Sequence, residues 1–335
     1  MLESFYIKNY RLFKELKITS LKRVNLIIGK NNVGKSSLLE ALITYLKKDE
    51  IGRQIYTWPH HRGEWITNDS LQDVLNGLTS LFYDRKILNQ KSEAVYIGRD
   101  EQTGIFFYLD KIDKNQPVLI IEDNNKTEEI PLSDFKNHIS YSSAQTKHNI
   151  VSANLPDSSL RLSLGWSEIV LTDKENYVIE ALQIIDKDIQ RLAFIDETSA
   201  IKKAIVKLRN KSRPVALGSM GDGAVRVLRT VIALVCCENG TLLIDEFENG
   251  LHWSVQKKLW KIIYQIAEKL NIQIIATTHS RDTIWALQKI ALSEGHQDET
   301  TVIKLKLLPK KQMIRAVELD IEEVKLSLEQ NLEIR

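Results

Sequence analysis

Cysteine is nearly absent from these 335 residues: Cys236 and Cys237 are the two, and they are adjacent. Neighbours on a helix point in different directions, so the pair implies neither a metal site nor a disulfide framework. They read as small core hydrophobes in a reducing compartment. Charge of one sign is lacking too. The formal net charge is +2, so no global basic field announces a nucleic-acid partner. The short basic cluster of Lys202, Lys203, Lys207, Arg209, Lys211 and Arg213 reads as a solvated face. No run approaches the ~18 uninterrupted apolar residues of a membrane span. The N-terminus, MLESFYIKNY, has no basic segment followed by an apolar one. A cytoplasmic chain that engages no membrane is the expectation. Repeats, low-complexity tracts and long heptad stretches are missing as well, which excludes a coiled-coil arm.

What is present is ample core material, with 43% hydrophobic residues, enough for one large domain or two. Its most specific feature is Gly29-Lys30-Asn31-Asn32-Val33-Gly34-Lys35-Ser36, which fits G-x-x-x-x-G-K-[ST] without a mismatch. Leu26-Ile27-Ile28 before it reads as a buried strand, and Ser36-Ser37-Leu38-Leu39 after it opens a helix. That context makes a P-loop: backbone amides and the helix N-terminus wrap a triphosphate. Lys35 is placed to reach the β- and γ-phosphates, and the Ser36 hydroxyl to hold Mg²⁺.

Around this loop the chain changes texture. Leu2–Ile7 and Leu16–Ile18 alternate as strands about the turn Asn9-Tyr10-Arg11. Residues 50–140 read as an inserted β-rich lobe, with Trp58-Pro59-His60-His61-Arg62-Gly63 as a loop and a short helix over Leu71–Asp84. Its strand candidates are Ala94–Ile97, Ile105–Leu109, Val118–Ile121 and Glu129–Leu132, separated by turn residues. Residues 141–335 then offer a helix, a hairpin of Arg191–Asp196 against Ala204–Arg209, and alternating apolar strands and helices. That alternation predicts an α/β fold with a mainly parallel sheet and right-handed crossovers.

Three further motifs carry chemistry. Thr241-Leu242-Leu243-Ile244 is a buried strand delivering Asp245 and Glu246, one acid to help hold Mg²⁺ and one to orient or deprotonate water. Leu217-Gly218-Ser219-Met220-Gly221-Asp222-Gly223 precedes a helix and makes a second anion-binding surface; the local alternative is an N-cap at Asp222 or Ser219. Ala276-Thr277-Thr278-His279-Ser280 ends the next apolar strand, placing His279 where it can contact a γ-phosphate.

With P-loop, Gly-Ser signature, Asp-Glu strand and strand-end histidine in this order, the chain resembles ABC-type ATPases. Phe5-x-Ile7-x-Asn9-Tyr10-Arg11-x-Phe13, the Asn31-Asn32 P-loop and Asp245-Glu246-Phe247-Glu248-Asn249-Gly250-Leu251-His252 are similar to the RecF/SMC/OLD branch. The resemblance implies a single ABC-ATPase head with the middle lobe inserted, hydrolysing ATP with Mg²⁺. It implies two heads dimerising around ATP, each nucleotide held by Gly29–Ser37, Asp245, Glu246 and His279 of one subunit and by Ser219 and Gly221 of the other. It further implies a glutamine near the metal, for which Gln145 is the candidate, and an Arg11 that approaches the nucleotide from the first strand. His252 stands near the family's dimer-crossing loop, in place of the aspartate that transporters carry.

The chain runs about 90 residues past Glu246, too few for an appended Toprim nuclease domain. The leading expectation is therefore an ATP-driven switch that controls a separate effector chain, a Toprim-type nuclease of an antiphage defence system being the candidate. The alternative is a RecF-like protein that binds DNA in an ATP-dependent way. A transporter signature would read Leu-Ser-Gly-Gly-Gln where Gly218-Ser219-Met220-Gly221-Asp222 stands, and no Asn-Lys-x-Asp guanine-reading motif follows the P-loop.

Overall fold

In the computed structural model the described residues are 1–64, 70–86, 93–112, 116–123, 126–135, 147–152, 159–196, 198, 202–308 and 313–334. Three strands come first: β1 (Phe5–Tyr10), β2 (Phe13–Ile18) and β3 (Val24–Ile28). β1 and β2 form an antiparallel hairpin, with Asn9 and Arg11 left-handed about its turn. All of β3 is buried; Val24, Leu26 and Ile28 enter one hydrophobic cluster and Ile27 the other. Burial on both faces is what a central parallel strand requires.

Helices α1 (Lys35–Leu46), α2 (Ile51–His61) and α3 (Leu71–Thr79) follow. The loop reading of residues 58–63 is thereby corrected, since Trp58–His61 closes α2. Ile51, Ile55 and Trp58 recur at helical spacing and are buried. The Trp58 indole donates to Thr44 Oγ1 of α1 at 3.1 Å. Pro59 falls in the last turn, where packing of this stripe outweighs the local turn signal.

Strands β4 (Val95–Gly98), β5 (Gly104–Ile112), β6 (Gln116–Asp123) and β7 (Lys126–Pro131) match the four sequence candidates. They do not close on themselves: the six-stranded antiparallel order is β2-β1-β4-β5-β6-β7, with Ile7 opposite Ile97. The stretch 50–140 therefore opens helical, and its strands extend the N-terminal hairpin. Sequence reasoning separated them because the partners β1 and β4 lie far apart along the chain.

The remainder supplies β8 (His148–Val151), α4 (Ser159–Ile169), α5 (Lys174–Leu182), β9 (Ile189–Asp196), β10 (Lys202–Leu208), β11 (Val215–Ala216) and α6 (Asp222–Val235). It ends with β12 (Thr241–Ile244), α7 (Trp253–Lys269), β13 (Gln273–Thr278), α8 (Arg281–Ser293), β14 (Thr300–Leu308), β15 (Met313–Leu319) and α9 (Ile321–Glu329). The second six-stranded sheet has the order β15-β14-β3-β13-β12-β8. Five strands are parallel and only β15 is antiparallel, as the alternating pattern predicted. One face of this sheet meets α1 and the antiparallel sheet; the other meets α6 to α9.

Cys237 is buried beyond the end of α6, and Cys236 is partly so. Burial pushes their thiols up to about 12 and about 11 respectively, consistent with inert core positions. No helix among the described residues is long and apolar enough to cross a membrane.

Candidate nucleotide site

The parallel register carries three strand ends to one level. Ile28 of β3 lies opposite Thr278 of β13, and Ala276 of β13 opposite Ile244 of β12. The P-loop, the acidic pair and the histidine therefore emerge side by side at the carboxyl edge, where open α/β sheets bind ligands.

The loop's glycines are required sterically. Gly34 is left-handed (φ 87°), and a Cβ there would approach Phe13 Cζ to 2.7 Å. At Gly29 it would come within 2.8 Å of Val33 Cγ2 and 2.9 Å of the Leu305 carbonyl oxygen. Lys30, Asn31 and Asn32 are exposed, with Asn32 left-handed (φ 62°), whereas Val33 is buried beneath them. No side chain caps α1, whose N-terminus is left to the loop, as phosphate binding needs. The Lys35 ammonium donates to the Gly29 and Lys30 carbonyl oxygens at 2.8 and 2.9 Å, curled over the cradle. Burial lowers its pKa, while Glu248, Asp245 and Glu246 act to raise it.

Ser36 and Asp245, matched at 209 residues' separation, converge: Ser36 Oγ donates to Asp245 Oδ1 at 3.2 Å. A hydroxyl and a carboxylate meeting at the mouth of a phosphate cradle are the hard oxygen donors that suit Mg²⁺. The same Asp245 oxygen accepts from Thr277 Oγ1 at 2.6 Å, and Thr277 Oγ1 accepts from the Glu246 amide at 2.9 Å. Thr277 thus orients both acids. Glu246 is left-handed (φ 47°) and half-buried beside it. Ser37, the third residue of α1, is buried.

His279 is held by an acid that sequence reasoning did not single out. Glu248 accepts from the His279 amide at 2.8 Å, faces His279 Nδ1 at 3.0 Å, and accepts from Thr278 Oγ1 at 2.6 Å. Phe247 between the acids stacks on Trp260 of α7 at 4.1 Å, anchoring the loop. Arg226 of α6 is buried and donates to the Asp245 and Glu246 carbonyl oxygens at 2.8 and 3.1 Å.

The signature segment behaves differently. Ser219 is exposed and donates to the Ala216 carbonyl oxygen at 2.7 Å. Gly221, at φ 96°, occupies the N-cap of α6, and no side chain caps that helix. Neither Ser219 nor Asp222 is the capping residue. Among the described residues no hydrogen bond or ion pair joins Ser219–Gly223 to Gly29–Ser36 of the same chain. His252 accepts from the Ser254 amide at 3.4 Å and so caps α7.

Arg11 is buried rather than poised at the loop. Its guanidinium pairs with Glu40 of α1 at 2.8 Å and Glu64 at 3.1 Å, and donates to the Ser80 carbonyl oxygen. Arg62 completes this network, donating to Glu40 at 2.7 Å and to Ser37 Oγ at 3.3 Å. Gln145 lies outside the described residues.

The chain is 26% identical to an ATP/GTP phosphatase of Helicobacter pylori, over 91% of its own length and 92% of that protein. It is 40% identical to an uncharacterized protein of Methanocaldococcus jannaschii, over 31% of its length and 49% of that protein. Its fold is that of Smc head domains. One, solved bound to the C-winged helix domain of ScpA, superposes with a TM-score of 0.54 at 13% identity, covering 96% and 98% of the two chains. Another, with an extended coiled coil and bound to the C-terminal domain of ScpA, gives 0.50 at 11% identity, covering 98% of each. Residues 24–284 match the model of the P-loop ATPase family described as "AAA domain, putative AbiEii toxin, Type IV TA system", and the chain belongs to that family.

Proposed function

We propose that the chain is an ATP-hydrolysing switch that dimerises around its nucleotide and controls a separate effector chain. The observation that carries the reading is the convergence of Ser36, Asp245 and Thr277 at the P-loop. In this reading Lys35 neutralises the phosphates, while Ser36 and Asp245 hold Mg²⁺, which supplies charge stabilisation at the transferred phosphoryl group. Glu246 takes a proton from the attacking water, and His279, fixed by Glu248, reads the γ-phosphate. Gly29–Ser37 form the cradle. Ser219 and Gly221, on an uncapped helix N-terminus, act on the partner's nucleotide, completing a site that one chain leaves half-built. Arg11 serves α1 through Glu40, and Gln145 remains the candidate glutamine at the metal. A nuclease of Toprim type in antiphage defence is the effector we favour; that Smc heads are solved with ScpA domains supports a head acting through a partner.

The test is turnover and assembly with Mg-ATP. Lys35→Ala should lose turnover altogether. Glu246→Gln should keep ATP binding, lose about a hundredfold or more in rate, and sediment as a dimer with ATP. A Glu246→Gln protein that binds ATP yet stays monomeric at high concentration would refute the shared site.

A further inference from the structure

The sheet of β9, β10 and β11 has two unlike faces. Leu192, Phe194, Ala204, Val206 and Val215 pack onto the helical core. Side chains alternate along a strand, and the register sets Arg191 opposite Lys207, Ala193 opposite Ile205 and Ile195 opposite Lys203 on the outward face. The turn that follows adds Arg209, Lys211 and Arg213, all exposed. Residues 187–213 hold eight Lys and Arg against three Asp and Glu, an excess of five where the whole chain has an excess of two. Arg191 stands directly across from Lys207, a like-charge pairing that costs a sheet some stability. Asp188 accepts from the Asn210 amide at 2.8 Å, and Asp196 pairs with Lys202 on the other side of the ribbon.

We propose that this outward face binds the phosphate backbone of a nucleic-acid duplex. Phosphates are the polyanion that suits several Lys and Arg spread over a flat ribbon. Arg191, Ala193, Ile195, Lys203, Ile205 and Lys207 include no aromatic side chain, so single-stranded bases have no stacking platform. The contact is therefore to backbone, without base readout. Its position ties it to the rest of the molecule. β11 runs directly into Leu217–Met220, and Ser219 Oγ holds the Ala216 carbonyl. A duplex on the ribbon thus lies one short strand from the signature segment. The proposal goes beyond the ATP switch and does not depend on the dimer, so the test needs no nucleotide.

The full chain is titrated into a fluorescently labelled duplex of roughly 20 base pairs, from about 50 to about 200 mM salt, and read by anisotropy. With about four phosphate contacts, binding should weaken on the order of a hundredfold across that range. Unrelated sequences should bind alike. Arg191→Glu with Lys203→Glu should weaken binding by about tenfold or more and flatten the logarithmic salt slope by about two. Lys207 is left in place because its ammonium holds the turn through the Lys211 and Ser212 carbonyls. Arg191→Gln with Lys203→Gln should fall between, with circular dichroism and ATP turnover unchanged in both variants. No binding at the lowest salt, or unaltered binding by the reversed pair, overturns the proposal. So does polyglutamate bound as tightly as the duplex, which would assign the face to an acidic protein. Loss of the ATP-dependent dimer with duplex binding intact would count against the switch alone.

Discussion

Thr277 carries more of the site than its size suggests. Its hydroxyl proton goes to Asp245 and its lone pair takes the Glu246 amide, so one γ-oxygen sets both acids. Thr277→Val keeps the shape of the side chain and removes both bonds. We expect the fold to survive, with ATP still bound and turnover lowered by about tenfold to a hundredfold, since positioning errors at a reacting centre are costly; single-turnover kinetics separates the two effects. Lys35, Ser36, Asp245 and Glu246 were legible in the sequence because their spacing is local and the flanking strands read clearly. Glu248 and Arg226 were not, because they act on residues 31 and 19 to 20 positions away, and only the folded register brings them together. Thr277 was visible only as a neighbour of His279.

Between β12 and α7 the chain must turn sharply while presenting two carboxylates. What fixes that turn is apolar: Phe247 is fully buried and lies parallel to the Trp260 ring, 4.1 Å away. Phe247→Ala should cost about 3–5 kcal/mol, measured by denaturant unfolding. Turnover should fall further than the loss of folded protein explains, because Glu246 and Glu248 flank the lost anchor. At this scale the sequence was clear wherever one element alone declares its period, as in β3 or α7. It was misleading at α2, where Pro59 and paired histidines advertise a loop, and the deciding partner is Thr44 of another helix.

Across the whole molecule, the parallel sheet was readable from alternating strands and helices. The union of β1 with β4 was not, since no local signal encodes a strand's distant neighbour. Assembly is testable at the same scale. Ser219 is exposed at an uncapped helix end and unconnected to its own P-loop. Ser219→Arg should leave ATP affinity of the single chain unchanged while abolishing the ATP-dependent dimer in the Glu246→Gln background. Sedimentation of the double variant decides the matter: a dimer there would remove the signature segment from the nucleotide site.

One backbone angle has a wider consequence. Glu246 sits left-handed at φ 47°, in a region that disfavours any residue bearing a Cβ by about 1 kcal/mol or more. Folding alone would prefer glycine or asparagine there, so the carboxylate is kept against the grain of the chain. In the proposed hydrolysis, the molecule surrenders some robustness to retain the group assigned to activate water. Variants chosen only for thermal endurance would accordingly drift toward a tougher protein that holds its nucleotide and no longer lets it go.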